Sequence, residues 1–207
     1  MCGENTLQFL KTWAVNFFAH KVQSLVNTIM NSTFASAPAH EIVPGLWLGN
    51  KAASREDWLY PKQIGAVFNC TKDLPFAQET KRNLYRVAVD DNLQEDEIRA
   101  LEHWSWEVIY KLRKEHASGK RILVHCFAGM QRSAAVVAMY LIAVHRCTTD
   151  EAIAYIKSRR PVAFMGSVNF YPAIKGFEAS YRKMINEKDA HTSYPRIPLP
   201  TDQISNT

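Results

Sequence analysis

Hydrophobic periodicity changes character most sharply between residues 121 and 141. Arg121-Ile122-Leu123-Val124 is a short apolar run with the length and β-branching of a buried strand. Ala134-Ala135-Val136-Val137-Ala138-Met139-Tyr140-Leu141 is too long and too alanine-rich for a strand and predicts a buried helix. Between them, His125 to Ser133 must be a tight loop leading from the carboxyl end of a strand into a helix N-terminus. Strand-like and helix-like segments alternate around this pair. Ile64 to Asn69 and Tyr85 to Val89 read as core strands, and a long helix is expected from about Glu95 to His116. Its Ile98, Leu101, Val108, Ile109 and Leu112 share one face, and Gly119 stops it. Thr148 with Glu151 predicts a capping box on a helix ending at Arg159-Arg160-Pro161, and Ser54 with Asp57 predicts another over a short helix through Trp58-Leu59. A final helix from about Asn169 turns Phe170, Ile174, Phe177 and Tyr181 inward. This alternation implies an α/β domain, with a central, mostly parallel sheet flanked by helices and ligands bound at the strands' carboxyl ends.

Both ends of the chain depart from that alternation. From residue 4 to about 31, apolar residues including Leu7, Leu10, Phe17, Phe18, Leu25 and Ile29 recur at three- and four-residue steps, an added N-terminal amphipathic helix that Asn31 to Thr33 and Pro38 terminate. Residues 186–207 are polar, carry Pro195, Pro198 and Pro200, and show no periodicity, so they read as a disordered tail. The expected division is 1–36 for helix and linker, 37–185 for the catalytic domain and 186–207 for the tail.

Composition narrows the class without naming it. A chain of 207 residues with 47% hydrophobic and 22% charged content is an ordinary globular protein large enough for a substantial core. A net charge of +5 suits an anionic substrate but, without a run of lysines or arginines, does not by itself indicate nucleic acid, which is not expected as a partner. The four cysteines have no C-x-x-C spacing and the histidines no metal-ligand spacing, so neither a disulfide framework nor a metal site is expected. No apolar run approaches the roughly 18 residues of a membrane span, and no signal peptide is read.

The loop from His125 to Ser133 carries the chemistry. A free cysteine thiol has a pKa of about 8.5, and a helix N-terminus can bring it to roughly 3.5–7.5. Cys126 stands where that field acts. Arg132, at the start of the helix, can grip two oxygens of a phosphate in a bidentate fork. Gly129 allows Phe127, Ala128, Gly129, Met130 and Gln131 to point successive N–H groups at one anion. Ser133 can donate to the Cys126 sulfur when it becomes a leaving group, and His125 can steady the thiolate from behind. A thiolate enzyme needs a reducing compartment, cytoplasmic or nuclear. Cys70, at the end of a core strand near this loop, is either a packing residue or a redox partner of Cys126.

His-Cys-x-Ala-Gly-x-x-Arg-Ser resembles the signature loop of the cysteine-dependent protein phosphatases, specifically the small, vaccinia-type dual-specificity branch. Further stretches are similar to that family in the same order: Glu41 to Asn50 to its opening strand, Ile64 to Thr71 to the next core strand, Leu84 to Asn92 to the strand and loop bearing the acid, and Arg160-Pro161-Val162 to the turn before the last helix. The resemblance spans roughly 41–185. It implies a cysteine-phosphatase-like fold, a cysteinyl-phosphate intermediate on Cys126, and phosphoprotein substrates bearing phosphotyrosine or phosphoserine/threonine, with no cofactor. It places the general acid at the second carboxyl of Val89-Asp90-Asp91-Asn92, namely Asp91. Two features depart from the family pattern. Gln131 stands where small residues are frequent, so its side chain could interfere with or read the substrate. The segment Phe164 to Asn169 is looser than the pattern, and Asn169 is expected to cap the last helix rather than bond to the signature loop.

Rival readings use the same loop. An RNA 5′-triphosphatase or a phosphoinositide phosphatase usually adds basic residues there, whereas Phe127, Met130 and Gln131 are uncharged. A phosphopeptide-binding module without activity is expected to have lost Cys126, Arg132 or Asp91. The N-terminal helix, too apolar to be left in water, can be buried back on its own domain, across a homodimer or on a membrane surface. The membrane is disfavoured because only Lys11 and Lys21 are basic on its polar face, and the homodimer is the favoured expectation.

Overall fold

A computed structural model describes residues 37–77, 81–189 and 198–200. The expected N-terminal helix, and the dimer it was to form, lie outside the described residues. Strands β1 (Ala39–Val43), β2 (Leu46–Gly49), β3 (Ile64–Asn69), β4 (Asn83–Arg86) and β5 (Arg121–His125) form one sheet in the order β1-β2-β5-β3-β4. Only the β1–β2 pairing is antiparallel, so the sheet is mostly parallel as its sequence pattern requires.

The single opening strand expected across Glu41 to Asn50 is instead a hairpin. Pro44 has no N–H for a ladder, and Gly45 turns the chain at φ +83°, with its N–H donating to the Glu41 carboxylate at 2.7 Å. At the other edge, the strand expected from Tyr85 to Val89 is shifted to Asn83–Arg86. Val87 still donates to Asn69 O, but Val89 then donates to Val87 O, a tight turn that swings the chain off the sheet. Val87 and Val89 remain buried, which is why their alternation imitates a strand.

Helix α1 (Glu56–Leu59) lacks the expected capping box. Its N-cap is Arg55, and the Ser54 hydroxyl completes a preceding 3₁₀ turn by donating to Lys51 O at 2.9 Å. Helices α2 (Glu95–Ala117), α3 (Arg132–His145) and α4 (Thr149–Arg159) follow the sequence reading, and the Thr148–Glu151 capping box is present. Helix α5 runs from Tyr171 to Asp189, past the expected boundary at 185. The described tail residues are not structureless: Pro198 O is hydrogen-bonded to His145 Nδ1 at 3.0 Å, and Leu199 packs on the core. No described helix is long and apolar enough to cross a membrane.

The two faces of the sheet are unequal. Ile122 and Val124 of β5 join the large core beneath α2 to α5, while Leu123, pointing the other way, joins a small cluster with Ala53, Leu59 and Val67. Helix α3 is buried along its whole run from Ser133 to Ala143. Full burial of a large aliphatic side chain stabilises by about 1.5–3 kcal/mol, so α3 is fixed in place, and the loop between β5 and α3 is held at both ends.

Candidate active site

Strand β5 delivers Cys126 to the base of that loop, where the residue is only 2% exposed. Its Sγ accepts from the Gly129 N–H at 3.2 Å and from the Ser133 hydroxyl at 3.2 Å. Gly129 adopts φ +67°, and a Cβ there would lie 2.5 Å from Gly49 O, so no other residue fits without moving β2. Among the described residues, the N–H groups of Phe127, Ala128 and Met130 donate to no backbone carbonyl. Arg132 Nη1 donates to Val89 O at 3.3 Å, whereas its Nε is buried without a partner. The first-turn N–H groups of α3 have no intrahelical acceptors either. These donors and one fixed cation stand around a nucleophilic sulfur, an arrangement suited to a tetrahedral anion.

Two further groups shape the field behind the loop. Burial drives the His125 imidazole down to about 4, with the Arg86 charge adding to this and the Cys126 backbone bond opposing it. Both ring nitrogens are buried, and beyond that weak approach to the Cys126 backbone neither has a partner at hydrogen-bond geometry. His125 is therefore neutral at neutral pH, and any steadying of the thiolate does not come from an imidazolium. Arg160, which the sequence places only in a turn, is fully buried and donates from Nε to Gly129 O at 2.9 Å. Burial lowers it to about 10, partly offset by Cys126, so it stays charged beneath the loop. Its Nη1 lies 2.8 Å from His40 Nδ1, and burial together with this cation lowers the His40 pKa. Cys70 is wholly buried, and its thiol is raised well above its ordinary value by burial and then by Cys126.

The two adjacent carboxylates face different neighbours. Asp90 forms a 3.0 Å ion pair with Lys72, and its N–H donates to Glu97. Asp91 is exposed and accepts at Oδ1 from Asn169 Nδ2 at 2.8 Å. Asn169 therefore does more than precede α5, which begins at Tyr171: its side chain reaches the acid loop, and its N–H reaches the signature loop by donating to Gln131 Oε1 at 3.1 Å. The Gln131 side chain is buried and turned onto residues 165–169, away from the reading of substrate considered above. At the rim, Phe127 is half exposed and Lys51 Nζ lies 4.2 Å from its ring centre. The sequence flagged Gln131 and Asn169 separately; their contact with each other, and the burial of Arg160, had no local signal.

Residues 46–180 match the profile of a family described as dual specificity phosphatase, catalytic domain. Over 134 residues the chain is 34% identical to human dual specificity protein phosphatase 1 and 38% identical to mouse dual specificity protein phosphatase 2. These stretches cover 62% of this chain but only 35% and 41% of those proteins, so the chain spans well under half of their length. The crystal structure of human DUSP28 superposes with a TM-score of 0.62 at 27% identity, covering 70% of this chain and 96% of that one. The chain belongs to the dual specificity phosphatase family and carries its catalytic domain.

Proposed function

We propose that this protein hydrolyses phosphotyrosine and phosphoserine/threonine in protein substrates through a cysteinyl-phosphate intermediate. Cys126 Sγ attacks phosphorus in line. The S–P bond forms as the ester P–O bond breaks, and Asp91 gives its proton to the departing oxygen. The N–H groups from Phe127 to Gln131 and the Arg132 guanidinium hold the equatorial oxygens as charge builds on them. Water then attacks phosphorus, Asp91 takes its proton, and the sulfur leaves with the Ser133 hydroxyl donating to it. His125 acts only by packing behind the loop.

The observation that carries this reading is the Cys126 sulfur, buried at the N-terminus of α3 between two donors, beside an Arg132 Nε that has no other partner. Phosphate release measured in parallel from phosphotyrosyl and phosphothreonyl peptides, phosphoinositide vesicles and RNA 5′-triphosphate tests it. Release from both peptides is expected. Release from the vesicles or the RNA alone replaces the protein substrate with that one, and binding of phosphopeptide without release makes the chain a binding module.

Residues 37–185, with the remainder of α5, are the catalytic unit in this reading. The pairing of two chains through residues 1–36 rests on their apolar stripe. Light scattering on the full chain and on residues 37–207 tests it, and two monomers reject it. A reducing cytoplasmic or nuclear setting follows from the need for a free Cys126 thiol.

A further inference from the structure

Two features set this chain apart from the pattern it resembles: Gln131 ahead of Arg132, and the loose segment from Phe164 to Asn169. In the structure they are the two halves of one contact. The segment doubles back through left-handed residues at Phe164 (φ +55°) and Gly166 (φ +82°), and Phe164 N–H donates to Met130 O at 2.9 Å. The buried Gln131 amide then grips it at two points: Nε2 donates to Ser167 O at 2.7 Å, and Oε1 accepts from Asn169 N–H at 3.1 Å. One side chain supplies the donor and acceptor that a neighbouring strand would supply. A serine or glycine at 131 could not reach, and the part-buried Ser167 carbonyl and Asn169 N–H would lose the partner that holds the segment in this course.

The grip ends on the acid. Ser167 Oγ donates to Asn169 Oδ1 at 2.5 Å, which fixes the amide so that Nδ2 faces Asp91 Oδ1 at 2.8 Å. With Oδ1 engaged as an acceptor, Oδ2 is the oxygen left to carry a transferable proton. We propose that Gln131 is a positioning residue for proton transfer: it sets the 164–169 segment so that Asn169 holds Asp91 in this orientation. The inference rests on the phosphatase reading above. Because both polar ends of the Gln131 side chain are engaged, that side chain acts on the leaving group without touching the substrate.

The test uses the full chain and two substrates, a phosphothreonyl peptide whose leaving oxygen needs a proton and 2,4-dinitrophenyl phosphate whose phenol does not. Gln131→Met keeps the length of the side chain and removes its hydrogen bonds. It should lower kcat on the peptide by about 10–100-fold, within the range of general acid catalysis, and on the aryl phosphate by less than about threefold. Asn169→Ala should show the same leaving-group signature, and the double variant should be no worse than the worse single change, as expected for residues acting in series. Gln131→Glu keeps the acceptor and regains a donor only when its carboxyl is protonated, so its deficit on the peptide relative to wild type should shrink as pH falls. That comparison within one variant carries the test alone if Gln131→Met does not fold. Equal losses on both substrates, no loss on either, additive losses, or a pH-independent deficit for Gln131→Glu each overturn the proposal. Wild-type protein inactive on both substrates overturns the phosphatase reading itself, whereas an active wild type with any of those four results overturns only the role of Gln131.

Discussion

The two halves of the candidate site are built in opposite ways. The nucleophile side is one continuous stretch, His125 to Ser133, fixed by β5 before it and by the buried α3 after it. The acid side is assembled from distant pieces: Asp91 meets Asn169 across 78 positions, and Asn169 meets Gln131 across 38. The first half owes its geometry to backbone direction and core burial, so single polar changes there alter chemistry more than shape. The second half owes its geometry to a few hydrogen bonds between side chains and loops, so changes well away from the carboxylate should alter it. Local construction gives rigidity; distributed construction gives sensitivity.

The largest test of that contrast lies on the nucleophile side. Cys126→Ser should lower turnover by about 10⁴-fold or more, the scale seen when a nucleophile is removed, while phosphate-ester binding stays measurable by calorimetry. Arg132→Lys should cost about 10²–10³-fold, because lysine cannot reproduce the planar fork around the developing charge. If Cys126→Ser kept a tenth of wild-type turnover, the covalent route would be wrong. On the acid side, Asp91→Asn should lower turnover by about 10²–10⁴-fold on substrates with poor leaving groups and far less on an acidic aryl phosphate. Equal losses on both would reassign Asp91 to structure.

A third test concerns acid stability. His125 has a folded pKa of about 4, below the 6.5 of an unperturbed imidazole. The unfolded chain therefore binds the extra proton, and the stability that neutral His125 confers is complete above pH 6.5 and lost as pH falls towards 4. The shift corresponds to on the order of 3 kcal/mol. Glu115 adds a lower window: burial would raise its carboxyl, but hydrogen bonds from Lys120, Tyr85 and Asn83 outweigh this and hold it at about 2 against 4.5. Its contribution is present above 4.5 and lost as pH falls towards 2. Urea midpoints at pH 7.5 and 4.5 should converge for His125→Asn and stay apart for wild type; parallel shifts in the two proteins would remove His125 as the cause.

The smallest effect separates the adjacent carboxylates. Asp90 is held by an exposed ion pair with Lys72, and exposed pairs contribute little. Lys72→Met and Asp90→Asn should each change turnover by less than about threefold, since neither removes a group taking part in proton transfer. A loss from Asp90→Asn matching that expected of Asp91→Asn would move the acid to Asp90.

Much of this protein is written locally. The switch from a β-branched run to an alanine-rich run places β5 and α3, and Cys126, Gly129, Arg132 and Ser133 fall between them, so the chemistry and its setting are readable together. The Thr148–Glu151 box and the limits of α2 are equally local, because caps and periodic faces depend on neighbours a few residues apart. Pro44-Gly45 marks the opening hairpin, yet the apolar alternation on either side reads as one strand. Tertiary structure alone decided the rest. Whether Gln131 faces substrate or loop, whether Asn169 caps a helix or holds Asp91, and whether Arg160 lies in solvent or beneath Gly129 all depend on which distant segment a flexible polar side chain meets. A sequence specifies that a polar group must find a partner when buried, and only the packed chain specifies which partner stands within reach.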